Sequence, residues 1–300
     1  MAADTASMGY DVQFGVSAIA SDTVTKRLLP ESLDIKKRPT HFHAEGFKGQ
    51  LAHRSEDTAE STYTVSGSMT IVPRVDDLEI LLLAIFGGTF AGNVLEPDVI
   101  TDYFKAALDR EVKVFNYTGM RVSQATFTSS AGQPLRMQLQ LEGKDLTLGD
   151  ADSFPDLSYS VLTPIMHHQA TMYFDGTARN FNNLNITVNN QLVMDRFFNT
   201  QSRTEIPQGD RTIQVSFDTP FTTSELDIYQ LALAGVSSNI LYTVGSYSLL
   251  FEFPLLQGPM EDPDTPSPVQ EIPLRTTLNA RTVDGYAGTD QEVKITLVDS

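Results

Sequence analysis

The side chains able to do chemistry are few and poorly spaced for it. His41 and His43 alternate in "THFHAEG", so on a strand both imidazoles share one face, and His167-His168 adds nitrogens for a conceivable metal site. No carboxylate accompanies the first pair at ligand spacing, and the second pair belongs to the other half of the chain. "EDPDTP" at 261–266 gathers three carboxylates but lacks the glycine and the bidentate glutamate of an EF-hand loop. No phosphate-binding glycine loop, nucleophile elbow or zincin helix occurs. Cysteine is absent, which excludes thiol nucleophiles, disulfides and thiolate-held metals. The expectation is a protein that is not an enzyme and has no catalytic residues, no metal and no cofactor. A β-fold metal enzyme built on His41 and His43 is the weakest alternative.

Bulk composition narrows the class further. A net charge of −17 argues against general affinity for nucleic acid, which needs Lys and Arg to neutralise phosphate. The same sign suits a surface that DNA passes without sticking, and it also suits plain solubility. No apolar run approaches the ~20 residues that a bilayer requires, and the N-terminus lacks a basic and apolar leader. The chain reads as soluble, with no membrane partner, and made in a cytoplasm.

The elements that would position any site are mostly strands. "STYTVSGSMTIV" (61–72), "VKVFNY" (112–117), "MRVSQATFTSS" (120–130) and "PLRMQLQLEG" (134–143) alternate apolar and polar residues. One stretch differs. "VDDLEILLLAIFGG" (75–88) predicts a short helix that is apolar on nearly every side, with Asp76 and Asp77 in its first turn and Gly87-Gly88 as its stop. Leu78, Leu81, Leu82, Ile85 and Phe86 are its expected buried residues. A fainter copy, "TSELDIYQLALAG" (223–235), predicts a second helix that buries Leu226, Ile228 and Leu231.

The order strand, helix, strand, long hairpin therefore occurs twice. Setting Arg275 against Arg121 gives 275 − 121 = 154, and Glu225 against Asp77 gives 225 − 77 = 148, which reads as a tandem duplication. The expected division is an N-terminal arm and first strand region (1–38), a first domain (39–150), a linker (151–165) and a second domain (166–300). Long polar excursions at 45–61 and 194–210 are of the length that is usually functional. "KRLLPESLDIKKR" (26–38) concentrates five basic residues in an acidic chain. It reads either as a docking arm for a neighbouring copy or as an edge strand kept from mispairing by lysine.

These segments resemble the tail tube proteins of long-tailed bacteriophages with non-contractile tails. Val65, Gly67, Met69 and Thr70 match a "V-x-G-x-[ML]-T" strand. Asp76, Leu78, Leu81, Leu82, Ala84, Phe86 and Gly87 match the helix that follows, and Tyr117–Val122 and Gly143–Asp145 match "Y-T-G-M-R-V" and "G-K-D". The resemblance is good over 61–146 and loose beyond. It implies a mainly β chain of two tandem β-sandwich or barrel tube domains, each with one short buried helix. It implies a structural virion protein whose rings stack into a hollow tube, the conduit for genome delivery. Implied partners are further copies of itself, in a ring of three chains or alternatively six. Stacked rings, tape-measure, terminator and tail-tip proteins, and double-stranded DNA in transit complete the set. Expected contact residues are Lys26, Arg27, Lys36, Lys37 and Arg38 in the basic segment, Arg54, Glu56 and Asp57 in the first loop, and Arg196, Phe197 and Phe198 in the second. An acidic lumen is the expectation for DNA passage. A capsid-decorating or adhesion module is the other non-enzymatic alternative.

Overall fold

Alternation along the chain becomes an antiparallel architecture in a computed structural model, which describes residues 12–43, 58–222, 228, 234–259, 272–283 and 291–298. The first half contains β1 (Gln13–Ser17), β2 (Val24–Leu28), β3 (Pro30–His43), β4 (Thr58–Ile71), α1 (Val75–Phe86), β5 (Thr89–Ala91), β6 (Val94–Glu96), β7 (Phe104–Asp109), β8 (Val114–Ser130), β9 (Arg136–Gly143) and β10 (Asp145–Gly149). The second half contains β11 (Ala170–Phe174), β12 (Thr177–Arg179), β13 (Asn183–Asn189), β14 (Thr212–Pro220), β15 (Val236–Val244), β16 (Tyr247–Gln257), β17 (Pro273–Arg281) and β18 (Lys294–Val298).

One strand organises the first half. The two segments read separately as 112–117 and 120–130 are a single 17-residue strand, β8. Its first part pairs with β7 and β10, and its last part with β9 and β13. Gly119 lies between these parts at φ +64, a conformation that glycine adopts without steric cost. A β-bulge between Val122 and Gln124 adds twist where the strand changes partners.

The same set of pairings occurs twice. In the first half β1–β2, β1–β7, β3–β4, β4–β9, β7–β8, β8–β9 and β8–β10 are paired. In the second half β11–β12, β11–β15, β13–β14, β14–β17, β15–β16, β16–β17 and β16–β18 answer them one for one. This corrects the phase of the sequence match. Arg121 lies on β8 and Arg275 on β17, yet the pairings make β17 the counterpart of β9 and β16 that of β8. In register, Val114 and Ser248 correspond (248 − 114 = 134), as do Arg121 and Leu255 (255 − 121 = 134). Period-2 strands resemble one another whatever their place in a sheet, so a match by pattern slips by a whole strand.

The halves are joined by backbone pairing. β13 lies against β8 from Asn183↔Ser130 to Asn189↔Gln124, so the sheet runs without a break as β3-β4-β9-β8-β13-β14-β17-β16. A β5–β6 hairpin follows α1 and reaches β18 through Leu95↔Ile295. One contiguous apolar cluster contains residues of both halves, with Phe127 edge-on to Phe251 at 5.4 Å.

Helix α1 closes the core beneath this sheet. Leu78, Leu82, Ile85 and Phe86 are fully buried and Leu81 nearly so, against β8 and β16. Asp77 accepts the Arg74 backbone N–H at 3.3 Å at its start, and the Gly87 N–H donates to the Leu83 carbonyl at its end. Of the second expected helix, Ile228 and Ala234 are described and helical, and Ile228 is fully buried. Leu226 and Leu231 lie outside the described residues. The N-terminal arm and first strand region contribute Phe14, Val16, Leu28 and Ile35 to the core; β1 and β2 are five residues each, too short to show an alternation.

Candidate assembly surfaces

Among the described residues no group of three His, Asp or Glu side chains is arranged to hold a metal. His41 and His43 are exposed on β3, and the His43 Nδ1 sits 2.9 Å from the Thr58 hydroxyl. His167 is buried, 2.9 Å from the Ser129 hydroxyl and edge-on to Phe181, and burial lowers its pKa. It packs between Ser129 and Phe181. The "EDPDTP" segment lies outside the described residues.

The basic segment is engaged within the chain. The Lys26 ammonium lies 2.9 Å from Asp76 and 3.3 Å from Asp77, with only 19% of its side chain exposed. Arg27 stacks over Tyr159 at 5.5 Å, and Lys37 lies 3.5 Å from the centroid of Tyr63. Lys36 pairs with Asp34 at 2.5 Å, and Arg38 reaches the same carboxylate at 3.9 Å. Burial opposes ionisation of Asp76, but the Ser160 hydroxyl and the Lys26 ammonium outweigh it and hold its pKa below the ordinary value. Burial wins at the neighbouring Asp77, whose pKa is raised. β3 itself pairs with β4 alone, and its other edge has no strand partner among the described residues.

Of the first excursion, read as 45–61, residues 58–61 begin strand β4, and Arg54, Glu56 and Asp57 lie outside the described residues. In the second, Arg196 pairs with Glu205 at 2.5 Å, Phe197 is half-buried and Phe198 is 63% exposed. This loop is anchored to the first half, where the Tyr63 N–H donates to the Gln201 carbonyl and Arg203 meets Glu142 at 2.6 Å in a nearly buried pair.

The junction between the halves is where the sequence reading missed most. Asn190 is fully buried and its amide donates to the carbonyls of Ile85 and Val122, both at 2.9 Å. Arg211 donates to the Phe86 carbonyl at 2.6 Å and the Asp98 carbonyl at 3.2 Å. The open carbonyls at the end of α1 are thus satisfied by the other half of the chain. Arg121 is 4% exposed, lies over Tyr103 at 4.1 Å, and donates to the carbonyls of Thr101, Asp102 and Ile206. The one available signal was an arginine in a strand with apolar neighbours on both sides. The motif "G-K-D" is likewise structural: Lys144 lies over Tyr103 and Asp145 accepts the Tyr63 hydroxyl at 2.6 Å.

The chain is β-rich, with a pairing scheme that occurs twice and a β3 edge that has no strand partner among the described residues. Its family is shown by comparison. Residues 54–287 match the family model for phage tail tube proteins, and the chain belongs to that family. It is a structural protein of the virion tail that assembles into the tail tube. No curated protein matches the chain. No helix among the described residues is long and apolar enough to cross a membrane.

Proposed function

We propose that three copies of this chain close into a ring of six tube domains, two in tandem per chain, and that the rings stack into the tube of a non-contractile tail through which the genome passes. The observation that carries the reading is the junction between β8 and β13. Within the chain, the end of β8 receives β13. β3, the counterpart of β13, has an open edge that is free to meet the same part of a neighbouring copy. By the register above, the acceptor begins at residue 258, just past the end of β16. Strand addition at an open edge is a general mode of association, and a head-to-tail contact of this kind forms a ring when its rotation closes.

Three chains are enough to enclose a bore. Each chain supplies eight strands to the continuous sheet, so three supply twenty-four. A closed ring of that many strands at ~4.8 Å spacing has a backbone diameter of roughly 40 Å, which leaves an open bore. Contacts between stacked rings are assigned to the polar excursions at 45–61 and 194–210, and in the second Phe198 stands exposed.

Electron microscopy of untagged protein, with its solution mass, tests the proposal. Rings or tubes with a channel are expected, and free rings should weigh about 99 kDa, three times 33.1 kDa. Six-chain rings would overturn the tandem arrangement, and a compact particle without a channel in all conditions would overturn the ring. Reversing Lys36, Lys37 and Arg38 to Glu is expected to impair polymerisation while the chain stays folded. Tubes of normal length from that variant would remove β3 from the contact.

A further inference from the structure

The face of the continuous sheet turned away from the core has an unusual chemistry for this chain. With 38 acidic and 21 basic residues in 300, charge should be common on any exposed surface. The central strands show almost none. One row crosses both halves in register, Thr70↔Gln138, Gln138↔Thr126, Thr126↔Thr187, Thr187↔Gln214 and Gln214↔Asn279, and every member is a hydroxyl or an amide. The rows beside it continue the pattern through Ser68, Gln140, Gln124, Asn185, Ser216 and Thr277. Alternate residues of the same strands (Met69, Leu139, Ala125, Ile186, Val215, Leu278) are buried in the core, which fixes the direction in which this face points.

Among the described residues charge on this face is confined to its borders, and much of it is neutralised there. Arg136 meets Glu31 at 2.9 Å, and Arg203 meets Glu142 at 2.6 Å at the opposite end of the same strand. Asp218 accepts the Asn183 amide at 3.0 Å and stands across from Arg275. On β3, Asp34 is shared by Lys36 at 2.5 Å and Arg38 at 3.9 Å.

We infer that this face is the wall past which a double-stranded polyanion moves, and that its uncharged hydroxyl and amide rows are the device that lets it move. The inference rests on the tube reading, and it replaces an acidic bore with a neutral one. Lysine or arginine at these positions would exchange counterions with passing phosphates and hold them. A wall of carboxylates would instead raise the potential against entry. Hydroxyls and amides keep their own water and present neither sign of charge. The net −17 then resides on the remaining surfaces, where it serves solubility.

The absence of cysteine provides the test, since a single introduced thiol is the chain's only one. Thr126→Cys and Thr187→Cys are assembled into tubes and treated with a small maleimide or with one carrying a polymer too bulky for the bore. Both reagents should label the unassembled chain, and only the small one should label tubes. Equal labelling of tubes by the bulky reagent would place this face outside and overturn the inference. Failure of the unsubstituted chain to form tubes is failure of the tube reading, and it is visible before any cysteine is introduced. The charge argument is read separately with Thr187→Lys tubes and short duplex DNA. They should retain roughly tenfold more DNA than unsubstituted tubes at low salt, and the excess should vanish as salt rises. Salt-dependent retention of DNA inside the unsubstituted bore, equal to that of the lysine variant, would overturn the neutral wall.

Discussion

Replacing Asn190 by alanine probes the junction between the halves most directly. The β8 bulge frees the Val122 carbonyl from the ladder, and the end of α1 leaves the Ile85 carbonyl open; one buried amide donates to both at 2.9 Å. The Asn190 backbone N–H also donates to the Ser123 carbonyl at 2.9 Å, so main chain and side chain plug the bulge together. Alanine keeps the main-chain bond and removes the other two. A buried polar group left without its partner costs about 1–3 kcal/mol, so two carbonyls set the loss at about 2–6 kcal/mol. Measured by urea unfolding of the unassembled chain, this is a fall in midpoint of about 1 M with an unchanged slope. Asn190→Asp should be worse, because a carboxylate would face two carbonyl oxygens. Asn185→Ala, on the polar face, is the control and should stay within ~0.5 kcal/mol. A loss from Asn190→Ala no larger than the control would mean that the amide does not hold the halves together.

Four further outcomes follow from the same structure. Lys26→Met leaves Asp76 and Asp77 without their cation. The depressed pKa of Asp76 gives stability that is present above its unfolded value and lost as pH falls through the folded one; without Lys26 that loss should begin at higher pH, and an unmoved acid-unfolding midpoint would refute the role. The raised pKa of Asp77 acts in the opposite sense, so Asp77→Asn should cost less near neutral pH than Asp76→Asn, as thermal melts of the two would show. Burial pushes the Tyr242 phenol up to about 12, so its stabilising effect is complete below pH ~10 and lost between there and 12; a phenolate titration in which every tyrosine ionises together below unfolding would contradict it. Gly67→Ala should disrupt the β3–β4 pair, because a Cβ there would lie 2.0 Å from the Asp34 carbonyl oxygen, and a variant with unchanged melting would show that β3 can back away.

What the sequence disclosed followed the strength of its periodicity. Met137, Leu139 and Leu141 on β9, and Val293, Ile295 and Leu297 around β18, were legible as buried faces because each run alternates cleanly. Helix α1 was legible because its apolar residues crowd between two acids and two glycines. The β5–β6 hairpin was not, because three-residue strands carry no period. Asn190, Arg211 and Arg203 were not, because their roles depend on contacts more than sixty residues away in the chain. The polar face was visible only as half of an alternation. That its rows line up across both halves into one uncharged band is a property of register, which no single strand reveals.

The two halves differ in one respect that bears on assembly. Hairpin β5–β6 belongs to the first half and covers β18 of the second, where Leu297 is 3% exposed. Leu148 on β10 is the counterpart of Leu297, and it is 62% exposed. In the second half Gly235 alone separates helical Ala234 from β15, so no hairpin is inserted there to cover a neighbour's β10. In a ring of three chains the contacts between domains would therefore alternate. Those within a chain carry strand pairing, the hairpin, the Asn190 and Arg211 bonds and the Arg203–Glu142 pair, whereas those between chains rely on the β3 edge and whatever the neighbour lays against Leu148. Such a ring would come apart between chains before it came apart within one.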